Sequence, residues 1–194
     1  MVLRYMNLSK VRAVIVDHDK YVLGLVTEML KGFGLSNQTC FETGEAAKDH
    51  ISKCEVDLCL VEATLPDMSG FDLVSWVRQR PNKEIRTMPV LMLIGYTQKQ
   101  TIALARDCGA NAVIKKPVSP PVLFDRIAWV SRNDRHFVET ATYVGPDRRF
   151  KTLGPPEGAG RRRTDLPAGI GASTAEMSQD EIDVLISSNK STTS

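Results

Sequence analysis

Short, almost wholly apolar runs separated by helix-period segments constrain this chain more than any other feature. The runs are Val11–Val16 (VRAVIV), Leu58–Val61 (LCLV), Val90–Ile94 (VLMLI) and Ala112–Ile114 (AVI). A half-exposed strand alternates apolar with polar residues, whereas a strand buried on both faces is apolar throughout. A weaker run, Asn37–Phe41, places Thr39 and Phe41 on one face. Between the runs, Tyr21–Lys31, Glu45–Lys53, Phe71–Arg80, Lys99–Cys108 and Pro121–Val130 repeat apolar residues at helical spacing. In the first of these the apolar residues are Val22, Leu25, Val26, Met29 and Leu30. Gly32 and Gly34, Pro81 and Gly109 punctuate three of the helix ends.

Strand and helix in strict alternation predict right-handed crossovers, hence an α/β fold with a doubly wound, five-stranded parallel sheet covered on both faces. Residues 9–131 form this domain. Reactive or binding groups then collect at the carboxyl ends of the strands. Those ends carry Asp17-His18-Asp19 after the first strand, Glu62 and a loop through Thr64 to Gly70 after the third, and Lys115-Lys116-Pro117 after the fifth. Carboxylates facing a lysine in one cleft are the ingredients of a metal-assisted phosphoryl site.

Past Asn133 the composition turns to Gly, Pro, Arg, Thr and Ala, with too few large apolar residues for a second core. Residues 132–176 read as a flexible extension holding two basic clusters, Arg148-Arg149 and Arg161-Arg162-Arg163. Residues 177–187 regain helical amphipathicity. Ser178 and Glu181 make a capping-box pattern, and Ile182, Leu185 and Ile186 share a face. Residues 188–194 read as a disordered tail. The four cysteines (Cys40, Cys54, Cys59, Cys108) show no CxxC pairing and read as buried reduced thiols. That fits a reducing, cytoplasmic setting. There is no signal-peptide pattern and no apolar stretch of membrane-spanning length. A net charge of +2 gives no global attraction to polyanions. No nucleophile–base pair, P-loop or closed metal cluster speaks for an enzyme, and no DNA-binding domain is evident.

The segments VRAVIVDHDK, DLCLVEATLPDMSGFDLV, MPVLMLI and GANAVIKKPV resemble, in order, the landmarks of CheY-like response-regulator receiver domains. The resemblance implies a non-enzymatic signalling module of a two-component or phosphorelay pathway, with a histidine kinase and motor or other effector proteins as partners. It assigns Glu62 to the phosphoacceptor position and Asp17 and His18 to the acidic pair, with Asp19 and Thr64 beside them. Lys116 and Pro117 match the family's lysine and proline. Ile94 and Val113 fall on its Thr/Ser and aromatic switch positions.

Four of these residues depart from the pattern. Imidazole is a poor substitute for an Mg²⁺ oxygen ligand, which argues against bound Mg²⁺; a transition metal held by Asp17, His18 and Glu62 is the alternative to an inert histidine, and no metal is the expectation. Glu62 carries its carboxylate roughly an Å beyond an aspartate's, a displacement that costs in-line transfer about 100-fold. Ile94 offers a phosphoryl oxygen no hydrogen bond. The expectation is therefore a pseudo-receiver that acts by binding, and a conventional phosphorylated switch in chemotaxis or flagellar control is the alternative. The extension is similar to arginine-rich tails of CheY-like proteins that bind cyclic di-GMP. That likeness implies Arg148, Arg149, Arg161, Arg162, Arg163 and Asp165 as a nucleotide site, against a plain solvated basic linker. Residues 177–186 (MSQDEIDVLI) are similar to the short acidic helix that opens FliM-type flagellar switch proteins. The helix would dock in cis or mimic the motor peptide, against an ordinary capped amphipathic helix.

Overall fold

The computed structural model describes residues 7–132, 136–140, 143–147 and 177–187. The first domain alternates β1 (Arg12–Val16), α1 (Lys20–Gly32), β2 (Asn37–Phe41), α2 (Gly44–Lys53), β3 (Leu58–Glu62) and α3 (Gly70–Arg78). It continues with α4 (Lys83–Thr87), β4 (Val90–Ile94), α5 (Lys99–Asp107), β5 (Ala112–Lys115) and α6 (Pro120–Arg132). All five strands are parallel in the order β2-β1-β3-β4-β5. The sequence-derived fold class is thus the observed one. The order reverses between β1 and β3, so the crevice at their carboxyl ends is the topological switch point.

Strand pleating divides the core in two. Val14, Val16, Val61, Met92, Ile94 and Val113 face one buried cluster, and Ile15, Leu60, Leu91, Leu93 and Ile114 the other. This two-sided burial is what unbroken apolar runs require. Helix α1 turns Leu23, Val26 and Leu30 inward and leaves Leu25 exposed, a one-position correction to the expected face.

The short helix α4 was not foreseen. Its five residues, KEIRT, carry too little apolar periodicity to show in the sequence, and Asn82 starts it by capping the amides of Glu84 and Ile85. Two of the four cysteines depart from the buried reading. Cys40, on edge strand β2, and Cys54, at the end of α2, are exposed.

The extension expected to lack structure contains β6 (Phe137–Glu139) and β7 (Val144–Pro146), an antiparallel pair. Its anchor is Arg78, 1% exposed at the end of α3. The guanidinium donates to the carbonyls of Gly109, Arg86 and Met88 and to Asn111 Oδ1, at 2.8–2.9 Å. The ring of Phe137 lies 5.3 Å from it, and Arg86 pairs with Glu139. Gly109, at φ +93°, allows the close approach of Val144 that the pairing needs. The hairpin forms because a buried cation needs a cover, which a composition count does not reveal.

A last helix, α7 (Gln179–Ser187), packs against β5 and α5. Met177 and Ile182 belong to the same buried cluster as Ile94 and Val113. Among the described residues no helix is long and apolar enough to cross a membrane.

Candidate functional site

Parallel pairing delivers three side chains to one point. Asp17 follows β1 and is fixed when its amide donates to Phe41 O. Glu62 closes β3 beside Leu93 of β4, and Lys116 follows β5, its amide donating to Ile94 O. Behind Glu62 the loop turns back at once. The Gly70 amide donates to Ala63 O, and a Cβ on Gly70 would sit 1.9 Å from the carbonyl oxygen of Glu62. Only glycine fits there, so the DMSG segment of the loop is part of how Glu62 is placed.

Lys116 Nζ stands 2.7 Å from Asp17 Oδ2 and 2.5 Å from Glu62 Oε1. Glu62 Oε2 is 2.5 Å from His18 Nδ1, and Asp17 Oδ1 accepts the amide of Asp19 at 2.9 Å. Both Glu62 oxygens and Asp17 Oδ1 thus have directional partners, whereas the buried Asp17 Oδ2 meets Lys116 as an ion pair and has no aligned hydrogen-bond donor. Asp17 is fully buried and Glu62 is 8% exposed, while His18 lies open at the rim. Burial pushes the Asp17 carboxyl above its ordinary pKa, against the hydrogen bonds from Lys116 and the Asp19 amide. Burial also acts to raise Glu62, but hydrogen bonds from Lys116, Asp17 and His18 outweigh it and hold that carboxyl low. The two carboxylates stand side by side and share one ammonium.

Of the residues singled out from sequence, Asp17, His18, Glu62 and Lys116 come together, and Pro117 follows Lys116 through a cis bond. Asp19 does not join them. Its carboxylate caps α1 by accepting from the Tyr21 amide, because the residue before a helix turns its side chain onto the first free N–H groups. Thr64 lies exposed in the loop, bridged to Ser69. Ile94 and Val113 are buried in the core, 1% exposed each, instead of lining the crevice. Arg148, Arg149, Arg161, Arg162, Arg163 and Asp165 lie outside the described residues, as do residues 188–194.

One oxygen or nitrogen each from Asp17, His18 and Glu62 lies within 4.8 Å of the others, the spacing of a small metal cage. The donor set does not suit Mg²⁺. One of the three ligands is an imidazole, and Lys116 occupies an oxygen of each carboxylate. Mg²⁺ would have to displace the ammonium and accept nitrogen in an octahedron that prefers oxygen.

The response regulator receiver domain description matches residues 13–128, over half of the chain. The chain belongs to the response regulator receiver family. Its setting is two-component signalling, in which receivers interact with histidine kinases and effectors. Regulatory protein VanRc of Enterococcus gallinarum is 30% identical over 132 residues, which are 68% of this chain and 54% of that protein. The chain thus spans about half the length of that relative. Chemotaxis protein CheY-3 of Vibrio cholerae is 26% identical over 119 residues, 61% of this chain and 90% of the relative. A solved putative response regulator from Chloroflexus aurantiacus aligns over 64% of this chain and 100% of its own, at a TM-score of 0.59 and 27% identity. A CheY-like receiver from Methanospirillum hungatei does so over 61% and 91%, at 0.55 and 28%.

Sequence reasoning missed the receiver's contacts with α7: Thr97, Lys115, Arg126, Gln179 and Asp183. The available signal was Gln179 and Asp183, four residues apart and so on one helical face. It also missed Arg78, which reads as an ordinary basic residue in the last turn of a helix.

Proposed function

We propose that this receiver is a non-enzymatic binding module whose acid site is held in a single state and is not phosphorylated in the usual way. The observation that carries the reading is the clamp: Lys116 engages one oxygen of Asp17 and one of Glu62, and His18 and the Asp19 amide take the remaining two. A nucleophilic carboxylate needs a free oxygen in line with the incoming phosphoryl group, and the metal that would neutralise the charge has no oxygen cage to enter. In place of transfer, Glu62 reaches the lysine directly and fixes the crevice electrostatically. Output then rests on which protein surfaces the domain presents.

Incubation with a small phosphodonor and Mg²⁺, followed by intact mass, tests this. The expected result is unmodified protein. A stable adduct at Glu62 would overturn the reading and restore the conventional phospho-switch.

A further inference from the structure

The amino ends of β1, β3 and β4 frame a cleft of about 510 Å³, at the opposite end of the sheet from the acid site. Its lining has two parts. Ile51 and Met88, almost fully buried, and the half-buried Val56 and Ile85 form an apolar wall that belongs to the core. Around that wall stand oxygens. Arg12 forks onto Asp57, its Nε and Nη2 donating at 2.8 and 2.9 Å, and pairs with Glu55 as well, so two carboxylates face one guanidinium. Glu84 of α4 adds a third carboxylate. Lys53, the other cation of the lining, is engaged by Asp49. Helix α2 also ends here. His50 O accepts the Cys54 amide, while the carbonyls of Ile51, Ser52 and Lys53 accept from no described residue and set the negative end of the helix dipole at the rim.

An apolar wall ringed by anionic oxygens suits a long side chain with a fork-shaped cationic end, its methylenes on the wall and its guanidinium on the carboxylates and carbonyls. The chain carries such side chains close by. The stretch Arg86–Met88 serves the cleft and the hairpin together. Thr87 and Met88 line the cleft, while Arg86 pairs with Glu139 and gives its carbonyl to Arg78 beside Phe137. Asp147, next after β7, donates its amide to His136 O. Arg161-Arg162-Arg163 begins 14 residues beyond Asp147, and Met177 lies 14 beyond Arg163. Each arm spans up to about 46 Å, more than the roughly 35 Å across a domain of this size. Arg148 and Arg149, directly after Asp147, lack that reach. We infer that this cleft is the seat of the chain's own Arg161-Arg162-Arg163 cluster. A polyanion that takes these arginines must first lift them out, so the cleft governs what the extension can bind. The seat lies away from the acid site, and the inference does not depend on whether Glu62 is phosphorylated.

The size of the effect follows from tethering. A segment held by arms of this length acts at an effective concentration on the order of 1 mM. With a local Kd on the order of 0.1 mM, about nine-tenths of the molecules have the seat filled. A protease that cuts only the undocked segment is then slowed about tenfold.

The test is limited trypsin digestion of the full-length chain, with cleavage after Arg161, Arg162 or Arg163 followed by mass. The comparison chain carries Glu55→Gln and Glu84→Gln, which keep Arg12 on Asp57 and remove two charges from the cleft. A synthetic peptide covering residues 155–169 gives the undocked rate. The natural chain should be cut about tenfold more slowly than the variant, and the variant within about twofold of the peptide. Equal rates for the natural chain and the variant would overturn the inference. Protection that rises with protein concentration would do so too, because the occupant is then the segment of a second copy. Should the variant not fold, Arg161→Gln, Arg162→Gln and Arg163→Gln together in the full chain serve. The amide resonances of Ser52, Cys54 and Glu84 should then shift while those of Asp17 and Lys116 hold still, and unmoved resonances at the cleft would sink the proposal.

Discussion

Replacing Lys116 with Met keeps the length and most of the volume of the side chain and deletes only its ammonium. Two carboxylates then face each other with no cation between them. One oxygen of each lies within 4.8 Å of one oxygen of the other. At an effective dielectric of about 20, two unit charges at that distance repel by about 3.5 kcal/mol. The attraction each formerly had to Nζ, at 2.7 and 2.5 Å, is lost as well. Proton uptake by one carboxyl relieves part of this. The net cost at neutral pH is therefore that of breaking a buried pair by removing one partner, about 4 kcal/mol. With an m-value of about 2 kcal/mol/M, the urea midpoint falls by about 2 M.

The pH dependence gives the sharper test. In Lys116→Met at least one carboxyl has a folded-state pKa raised above its unfolded value, so the folded protein binds more protons than the unfolded chain. Its stability is then greatest at low pH and is lost as pH rises through that raised pKa. In the natural protein the shifts oppose each other, Asp17 raised by burial and Glu62 lowered through Lys116, so the dependence is shallower. Urea unfolding followed by Trp76 and Trp129 fluorescence at about pH 5 and about pH 8 reads this directly. The variant should recover much of its deficit at the lower pH. A deficit below about 0.5 M, or one equal at both pH values, would refute the claim that Lys116 clamps the pair.

How much of this was legible beforehand depends on the range of the interaction concerned. The sheet was readable because burial on both faces leaves its inner strands with apolar runs that no polar residue interrupts, and LCLV and VLMLI can satisfy few other environments; only the edge strand NQTCF lacks that mark. The crevice was readable because parallel strands end together, so Asp17, Glu62 and Lys116 had to meet. Asp19 was misplaced for a local reason: one residue further along, the chain has begun α1, and capping wins over the crevice. The helix over 177–187 and its Ser178–Glu181 cap were legible, but the hairpin and the contacts that seat α7 were not, for a different reason. Each is held by polar groups from distant segments: Arg78 reaching the carbonyl of Gly109, or Gln179 reaching Val113 and Lys115 more than sixty residues away. Hydrophobic period carries no record of which backbone groups lack partners. An edge strand becomes a recognition surface only once the sheet order is known, and that is where sequence reasoning stops and the fold supplies the answer.

Two further predictions follow from the extension. If its arginines hold a guanine dinucleotide, labelled cyclic di-GMP titrated into the full chain should bind, and combined Arg161→Ala, Arg162→Ala and Arg163→Ala should weaken it at least tenfold; no binding, or equal binding, removes the nucleotide. Arg78→Met should cost about 4 kcal/mol, because it leaves the carbonyls of Gly109, Arg86 and Met88 without the donors they now share, each orphaned group costing about 1–3 kcal/mol, partly offset by the guanidinium no longer being desolvated. That desolvation already pulls the Arg78 pKa down to about 10, which still leaves the guanidinium charged at neutral pH. Arg80→Met is the reference, since Arg80 stacks on Trp76 at the surface and should cost less than about 1 kcal/mol. If the two variants unfold at the same urea concentration, Arg78 is not the anchor of the pair, and the pairing of β6 with β7 must come from elsewhere.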